Sequence, residues 1–178
     1  MLKPQKEHSL DDLFSVVYEE LRHIASAVRK NEGEITISST GLVHEAWLKL
    51  RNSPALGAKS PSHFKAIAAK AIRQVLVDEA RRRKAHKRGH DGQFFFVPLD
   101  EAAHATAQSD QELLFLDDAL QELARMSARQ SQVVVDRFFG GMSVEETSEV
   151  LGVSASVVER EWRAARAWLA TRVRPHAG

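Results

Sequence analysis

At 178 residues and 19.9 kDa the chain holds one medium domain or two small ones. A hydrophobic share of 43% beside 28% charged residues excludes a disordered chain. No run of about eighteen apolar residues is present to span a membrane, and no cysteine is present for disulfides, zinc ribbons or thiol catalysis, which fits a cytoplasmic setting. The opening residues, MLKPQKEHSLDDLF, lack the apolar core of a secretory leader. The net charge of +1 conceals a sharp pattern. Residues 65–90 carry nine basic and two acidic side chains, while residues 91–122 carry eight acidic and no basic ones. A basic block followed directly by an acidic one points to a polyanion partner and to a segment that avoids or mimics it.

Taken in chain order, the first predicted element is a helix capped by Ser9, with Asp11 and Asp12 in the turn where the helix dipole favours anions. Leu10, Leu13, Phe14, Val17, Leu21, Ile24, Ala25 and Val28 recur along it at spacings of three and four, and Asn31 and Gly33 are its expected stops. A second helix starts near Thr40, with Val43, Ala46, Trp47 and Leu50 as its inner stripe and Glu45, Leu48 and Lys49 pointing elsewhere. Ser53-Pro54 closes it.

A third helix is expected from about Ser62 to Gly89. Phe64, Ile67, Ala68, Ala71, Ile72, Val75 and Leu76 form an apolar stripe. Lys70, Arg73, Arg81, Lys84 and Arg88 fall within about an 80° arc on the opposite side of a helical wheel. Such a helix has one apolar and one cationic face. Residues 89–111 read as a linker of Gly, Pro and small polar residues, interrupted by Phe94, Phe95 and Phe96 as a possible tether.

Beyond it, Leu113, Leu116, Leu120 and Leu123 line a further helix. Ser127 and Gln130 form a capping-box signature before Val133, Val134, Phe138 and Phe139, and Gly140-Gly141 stops that helix. Ser143 and Glu146 form a second capping box, opening a short helix to Leu151. Gly152-Val153-Ser154 is the turn, and a last helix runs from about Ala155 to Val173. The spacing is that of a helix-turn-helix. Ser148 allows close approach, Gly152 tolerates positive φ, and Leu151, Val153, Val158, Trp162, Ala165 and Leu169 fill the space between the two helices. The outward face of the last helix presents Ser156, Glu159, Arg160, Arg163 and Arg166, side chains able to reach phosphates or guanine edges in a major groove. The chain reads as all-α, in two small helical domains, without internal repeats.

Enzyme chemistry finds little support. His44-Glu45 lacks the second histidine of a metalloprotease helix, and His86 and His90 lie four apart without a third ligand. No phosphate loop or nucleophile elbow occurs, so catalytic residues, metal ligands and cofactors are all expected to be absent.

With these segments in place, the sequence resembles the extracytoplasmic-function (ECF) sigma factors of bacterial RNA polymerase, the minimal two-domain group of the sigma-seventy class, over about residues 9–173. Three segments carry the resemblance in order: TGLVHEAWLKL, HFKAIAAKAIRQVLVDEARRRKAHKRG, and LDDALQELARMSARQSQVVVDRFFGGMSVEETSEVLGVS with the helix after it. The resemblance implies region two at residues 9–89, an acidic linker at 90–111 and region four at 112–174. It implies core RNA polymerase, through its β′ clamp helices and β flap, and promoter DNA as partners, with an anti-sigma factor as a further candidate. By position, Leu42, Val43, Glu45, Ala46 and Trp47 would contact core polymerase, although Val43 and Trp47 equally suit the domain's own core. Lys70, Arg73, Arg81, Arg82, Lys84 and Arg88 would meet the −10 element, and Ser156, Arg160, Arg163 and Arg166 the −35 element. The linker's charge suits a stretch that lies in a basic channel as a nucleic-acid mimic until RNA displaces it.

Two departures from the family pattern stand out. Glu159 and Glu161 would repel phosphates or accept from cytosine amino groups, which bears on −35 preference. Thr147-Ser148 replaces a more usual apolar residue and Ala. A free-standing helix-turn-helix regulator is the alternative reading, and it leaves the first domain without a role. The adjacency of the basic and acidic blocks also suggests a compact free form that hides the basic helix.

Overall fold

The computed structural model describes residues 10–28, 38–52, 60–86 and 110–172, and among these every regular element is helical. The N-terminal half comprises α1 (Leu10–Val28), α2 (Ser39–Arg51) and α3 (Pro61–His86). The C-terminal half comprises α4 (Asp110–Met126), α5 (Ala128–Val134), a π-helical turn (Val135–Phe139), α6 (Val144–Leu151) and α7 (Ala155–Arg172). Ser9, Asn31, Gly33, Arg88, Gly89, His90 and Phe94–Phe96 lie outside the described residues.

Local chemistry sets most of the helix starts. Ser38 caps α2 by accepting from Gly41 N–H at 3.1 Å. Ser60 accepts from His63 N–H at 3.1 Å ahead of α3, and Pro61 follows it at the first helical position, where no N–H is needed. Ser143 and Glu146 satisfy each other's backbone N–H groups at 3.1 and 2.9 Å, closing the capping box of α6. Gly152 ends α6 with φ +63°, a conformation that costs other residues about 1–2 kcal/mol. One boundary moves: α4 begins at Asp110, so its first turn takes in the last residues assigned to the linker.

The largest difference from the sequence reading lies in α3. Beyond the expected apolar stripe, Ala66, Ala69, Val77 and Ala80 are also buried, as are Lys65 and Glu79. The helix is central, packing against α1, α2, α4, the π-helical turn and α6. Its alanines let neighbours approach from several sides. One close approach is at Gly140, where an added Cβ would stand 3.0 Å from Ala69 Cβ and 2.5 Å from the Asp136 carbonyl oxygen. The two halves therefore share one continuous core, running from Leu13, Leu42 and Phe64 through Ile72 to Leu116, Phe139 and Trp162.

Candidate nucleic-acid interface

Lys70, Arg81 and Lys84 are exposed on one side of α3, and α4 lies alongside it, against Arg73. Arg73 donates from Nε to Asp117 Oδ1 at 2.8 Å and from Nη2 to the Asp117 carbonyl at 3.3 Å. Arg81 Nη2 reaches Asp117 Oδ2 at 3.4 Å, and Gln121 donates to the same oxygen at 2.8 Å. Two residues beyond Arg81, Arg83 grips Asp110 with two parallel hydrogen bonds of 2.7 Å, the strongest arrangement open to these groups. The hydrogen bond from Arg83 to Asp110 raises the arginine's pKa further, against the opposing effect of burial. Lys70, Arg73, Gln74, Val77, Asp78, Arg81, Asp117 and Gln121 line an open groove between the two helices.

Of the residues expected to meet the −10 element, Lys70, Arg81, Arg82 and Lys84 are exposed, with Arg82 paired to Glu79 at 2.8 Å. Arg73 is turned inward, its side chain 19% exposed. Arg88 lies outside the described residues. Arg83, which sequence reasoning passed over, is the most firmly paired cation of the set. Its i+10 relation to Arg73 places it on the neighbouring part of the helix surface, and only the position of α4 shows its partner.

On the far side of the fold, α7 packs through Val158, Trp162, Ala165 and Leu169, all buried. Ser156, Arg160 and Arg163 are exposed and Arg166 is half-buried. Arg160 leans on Glu161 at 3.4 Å, so one of the two unusual carboxylates partly neutralises a candidate DNA contact. A further cation joins this face from the π-helical turn. Arg137 lies over the Trp162 ring at 4.6 Å and, with Arg163, Arg166, Glu159 and Val144, lines a groove beside α7. Burial first, and the neighbouring Arg166 second, lower its pKa from the ordinary arginine value. Its Nε is buried without a partner. No signal in the sequence separates Arg137 from the apolar run around it.

The α2 residues divide sharply. Leu42, Val43 and Ala46 are buried at 0, 1 and 3% exposure, so in this form they belong to the core that α2 builds with its neighbours and do not offer a contact surface. The inner stripe expected from periodicity accounts for Val43 and Ala46. Glu45 is exposed, and Trp47 is half-buried, stacked on Phe14 with ring centroids 4.4 Å apart. Leu48, 40% exposed, adds an apolar side chain to the same outer surface. Thr147, one of the family departures, is fully buried, and its hydroxyl donates to the Ser143 carbonyl at 2.8 Å, which satisfies a polar group in an apolar position.

Among the described residues no three His, Asp or Glu side chains gather into a group that could hold a metal ion, and no helix is long and apolar enough to cross a membrane. A helix-turn-helix with arginines on its outer helix, preceded by a helix with a cationic face, has the make-up of a DNA-binding protein. The family model for the ECF sigma factors matches residues 4–175, and the chain belongs to that family. It is a sigma factor, acting with RNA polymerase in the initiation of transcription at promoter DNA. No curated protein and no solved structure matches the chain significantly.

Proposed function

We propose that the chain is an alternative sigma factor that selects promoters through two separate contacts and assists their melting, with no catalytic activity of its own. In this reading α3 holds unpaired −10 strands through Lys70, Arg73, Arg81, Arg82, Lys84 and Arg88. Ser156, Arg160, Arg163 and Arg166 on α7 read the −35 duplex, with Arg137 adding charge beside them. The outer surface of α2, at Glu45, Trp47 and Leu48, docks on the β′ clamp helices, while region four meets the β flap. Residues 9–89, 90–111 and 112–174 serve as region two, acidic linker and region four. The protein works in the cytoplasm, and an anti-sigma factor is a candidate regulator.

The observation that carries this reading is the presence of both cationic surfaces, on α3 and on α7, in one chain of this family. Melting without ATP needs cations along the separated strands, and α3 supplies them. Purified protein incubated with bacterial core RNA polymerase should copurify with it, and the complex should start transcripts from fragmented genomic DNA at a shared pair of sequence elements. Tight, sequence-specific duplex binding by the protein alone, with no polymerase binding, would favour the free-standing regulator instead.

A further inference from the structure

The two carboxylates that depart from the family pattern on α7 are not equivalent in the folded chain. The helix begins at Ala155, and Ser154 ahead of it accepts from Val157 N–H at 3.3 Å, which fixes the first turn. At about 100° per residue, Arg166, Glu159, Arg163, Ser156 and Arg160 then fall in that order across an arc of about 120°. Val158, Trp162, Ala165 and Leu169, all buried, form the stripe that faces the core. Glu159 therefore stands inside the row of outward arginines. Glu161 stands about 100° beyond Arg160, at the edge of the buried stripe. Its side chain is 14% exposed and is paired with Arg160 at 3.4 Å.

Glu159 is exposed, and among the described residues no hydrogen bond or ion pair occupies its carboxylate. Arg163, one turn on, donates to the Glu159 backbone carbonyl at 3.4 Å and leaves the carboxylate open. Glu159 lines the groove beside α7 together with Arg137, Arg163 and Arg166, so three cations share that groove with one anion. The surplus offsets the repulsion that a carboxylate meets beside phosphates. It does not give the carboxylate a partner on the DNA.

Base chemistry supplies that partner selectively. In the major groove guanine offers acceptors at N7 and O6, and thymine an acceptor at O4. Adenine offers its N6 amino group next to the N7 acceptor, while cytosine offers its N4 amino group with no acceptor beside it. A carboxylate can only accept. It is satisfied by cytosine, less well by adenine, and left desolvated and unpaired by guanine or thymine. The second turn of α7 suits this contact, since the N-terminal residues of a recognition helix are those that meet base edges.

We propose that Glu159 is a specificity-determining residue that selects a cytosine within the −35 element by accepting from its N4 amino group. This rests on the assignment of α7 as the −35 reading helix and adds a base preference that arginines do not carry. Arginines favour phosphates or guanine, whereas Glu159 rejects guanine at its own position. Glu161 takes no part in base choice and acts by restraining Arg160.

The test uses the full chain bound to core RNA polymerase. The strongest promoter that this complex uses in fragmented genomic DNA serves as template, and each base pair of its −35 element is changed to the other three. Transcript yield then gives a base preference at every position. The parent should show one position where replacing a C·G pair lowers yield by about tenfold or more. Glu159→Ala should flatten that position to within about threefold and leave the ranking of bases elsewhere unaltered. Glu159→Gln, able to donate as well as accept, should move the same position toward adenine. Glu161→Gln should change yield alike at all positions, with every preference kept. Because Glu159 is exposed, its variants should keep the parent's Tm to within about 2 °C.

An unchanged preference profile in Glu159→Ala would overturn the proposal. So would a gain in yield equal at every position, which is the mark of a merely repulsive charge. A preference lost in Glu161→Gln and kept in Glu159→Ala would also overturn it. Arg160→Ala with Arg163→Ala separates this failure from that of the −35 assignment. Loss of yield in that double variant, with Glu159→Ala matching the parent, refutes the cytosine contact alone. Unaltered yield in the double variant, with no base preference in the parent, removes the −35 role of α7 and the cytosine contact together.

Discussion

Asp136 offers the sharpest test of the packing between the two halves. It lies in the π-helical turn, fully buried beneath α3. Its Oδ1 accepts from Gln132 Nε2 at 2.6 Å, while Oδ2 has no partner. Burial pushes its carboxyl up to about 6, and the Gln132 hydrogen bond and the positive charge of Lys70 only partly offset that. A carboxyl raised from 3.8 in the unfolded chain to about 6 takes up a proton on folding between those values. Stability from this group is therefore fully present below pH 3.8 and is lost as the pH rises through 6. At about 1.4 kcal/mol per pH unit, keeping the ionised form buried costs on the order of 3 kcal/mol above pH 7. Asp136→Asn removes that cost and leaves a buried amide NH2 group without a partner, which returns about 1–2 kcal/mol of it. The expected net gain is about 1–2 kcal/mol at pH 8, or roughly 2–8 °C in Tm for a chain of this size, and no gain or a small loss at pH 4.5. Thermal unfolding followed by circular dichroism at both pH values measures the difference. Equal effects at the two values would refute the ionised-and-buried account, as would a variant less stable than the parent at pH 8.

Three further outcomes are expected. Gly152→Ala has open space for its methyl group but inherits φ +63°, so it should lose about 1–2 kcal/mol in denaturant unfolding, and Gly152→Asn should lose less. Leu48→Glu, on the exposed side of α2, should weaken binding to core polymerase by about tenfold or more in a competition assay while leaving Tm within about 2 °C of the parent. Arg163→Ala should reduce the salt dependence of region-four binding to −35 duplex by about one phosphate contact, read as a shallower slope of affinity against salt concentration; an unchanged slope would remove Arg163 from the interface.

Much of the secondary structure is legible in the sequence because it is written in local chemistry. The Ser143–Glu146 box, the left-handed Gly152 and the leucines of α4 all act within a few residues of themselves. The closed packing is not legible in that way. It depends on Arg73 meeting Asp117 and Lys65 meeting Glu146, pairs separated by 44 and 81 residues, and on the shape match of Ala69 with Gly140. The charge blocks predict attraction but not which carboxylate meets which guanidinium. Burial along α2 is legible from its period: the three-and-four spacing places Val43 and Ala46 inward, where they are found. The π-helical turn leaves no trace in the pattern, since Val133 to Phe139 is apolar enough to be buried in either helical form, and Asp136 within it looks like a surface residue until its surroundings are seen.

The far end of α7 has a bearing on how the molecule moves. Arg172 forms an ion pair with Glu122 of α4 and also lies over the Trp168 ring at 4.9 Å. That strut ties the last turn of α7 to the same helix whose carboxylates face α3. Ser131, donating to the Leu120 carbonyl at 3.1 Å, pins α5 to α4 in the same way. Helices α4 to α7 are therefore braced as one piece, so that any shift of α4 would carry α7 with it as a unit, like a key on its bow.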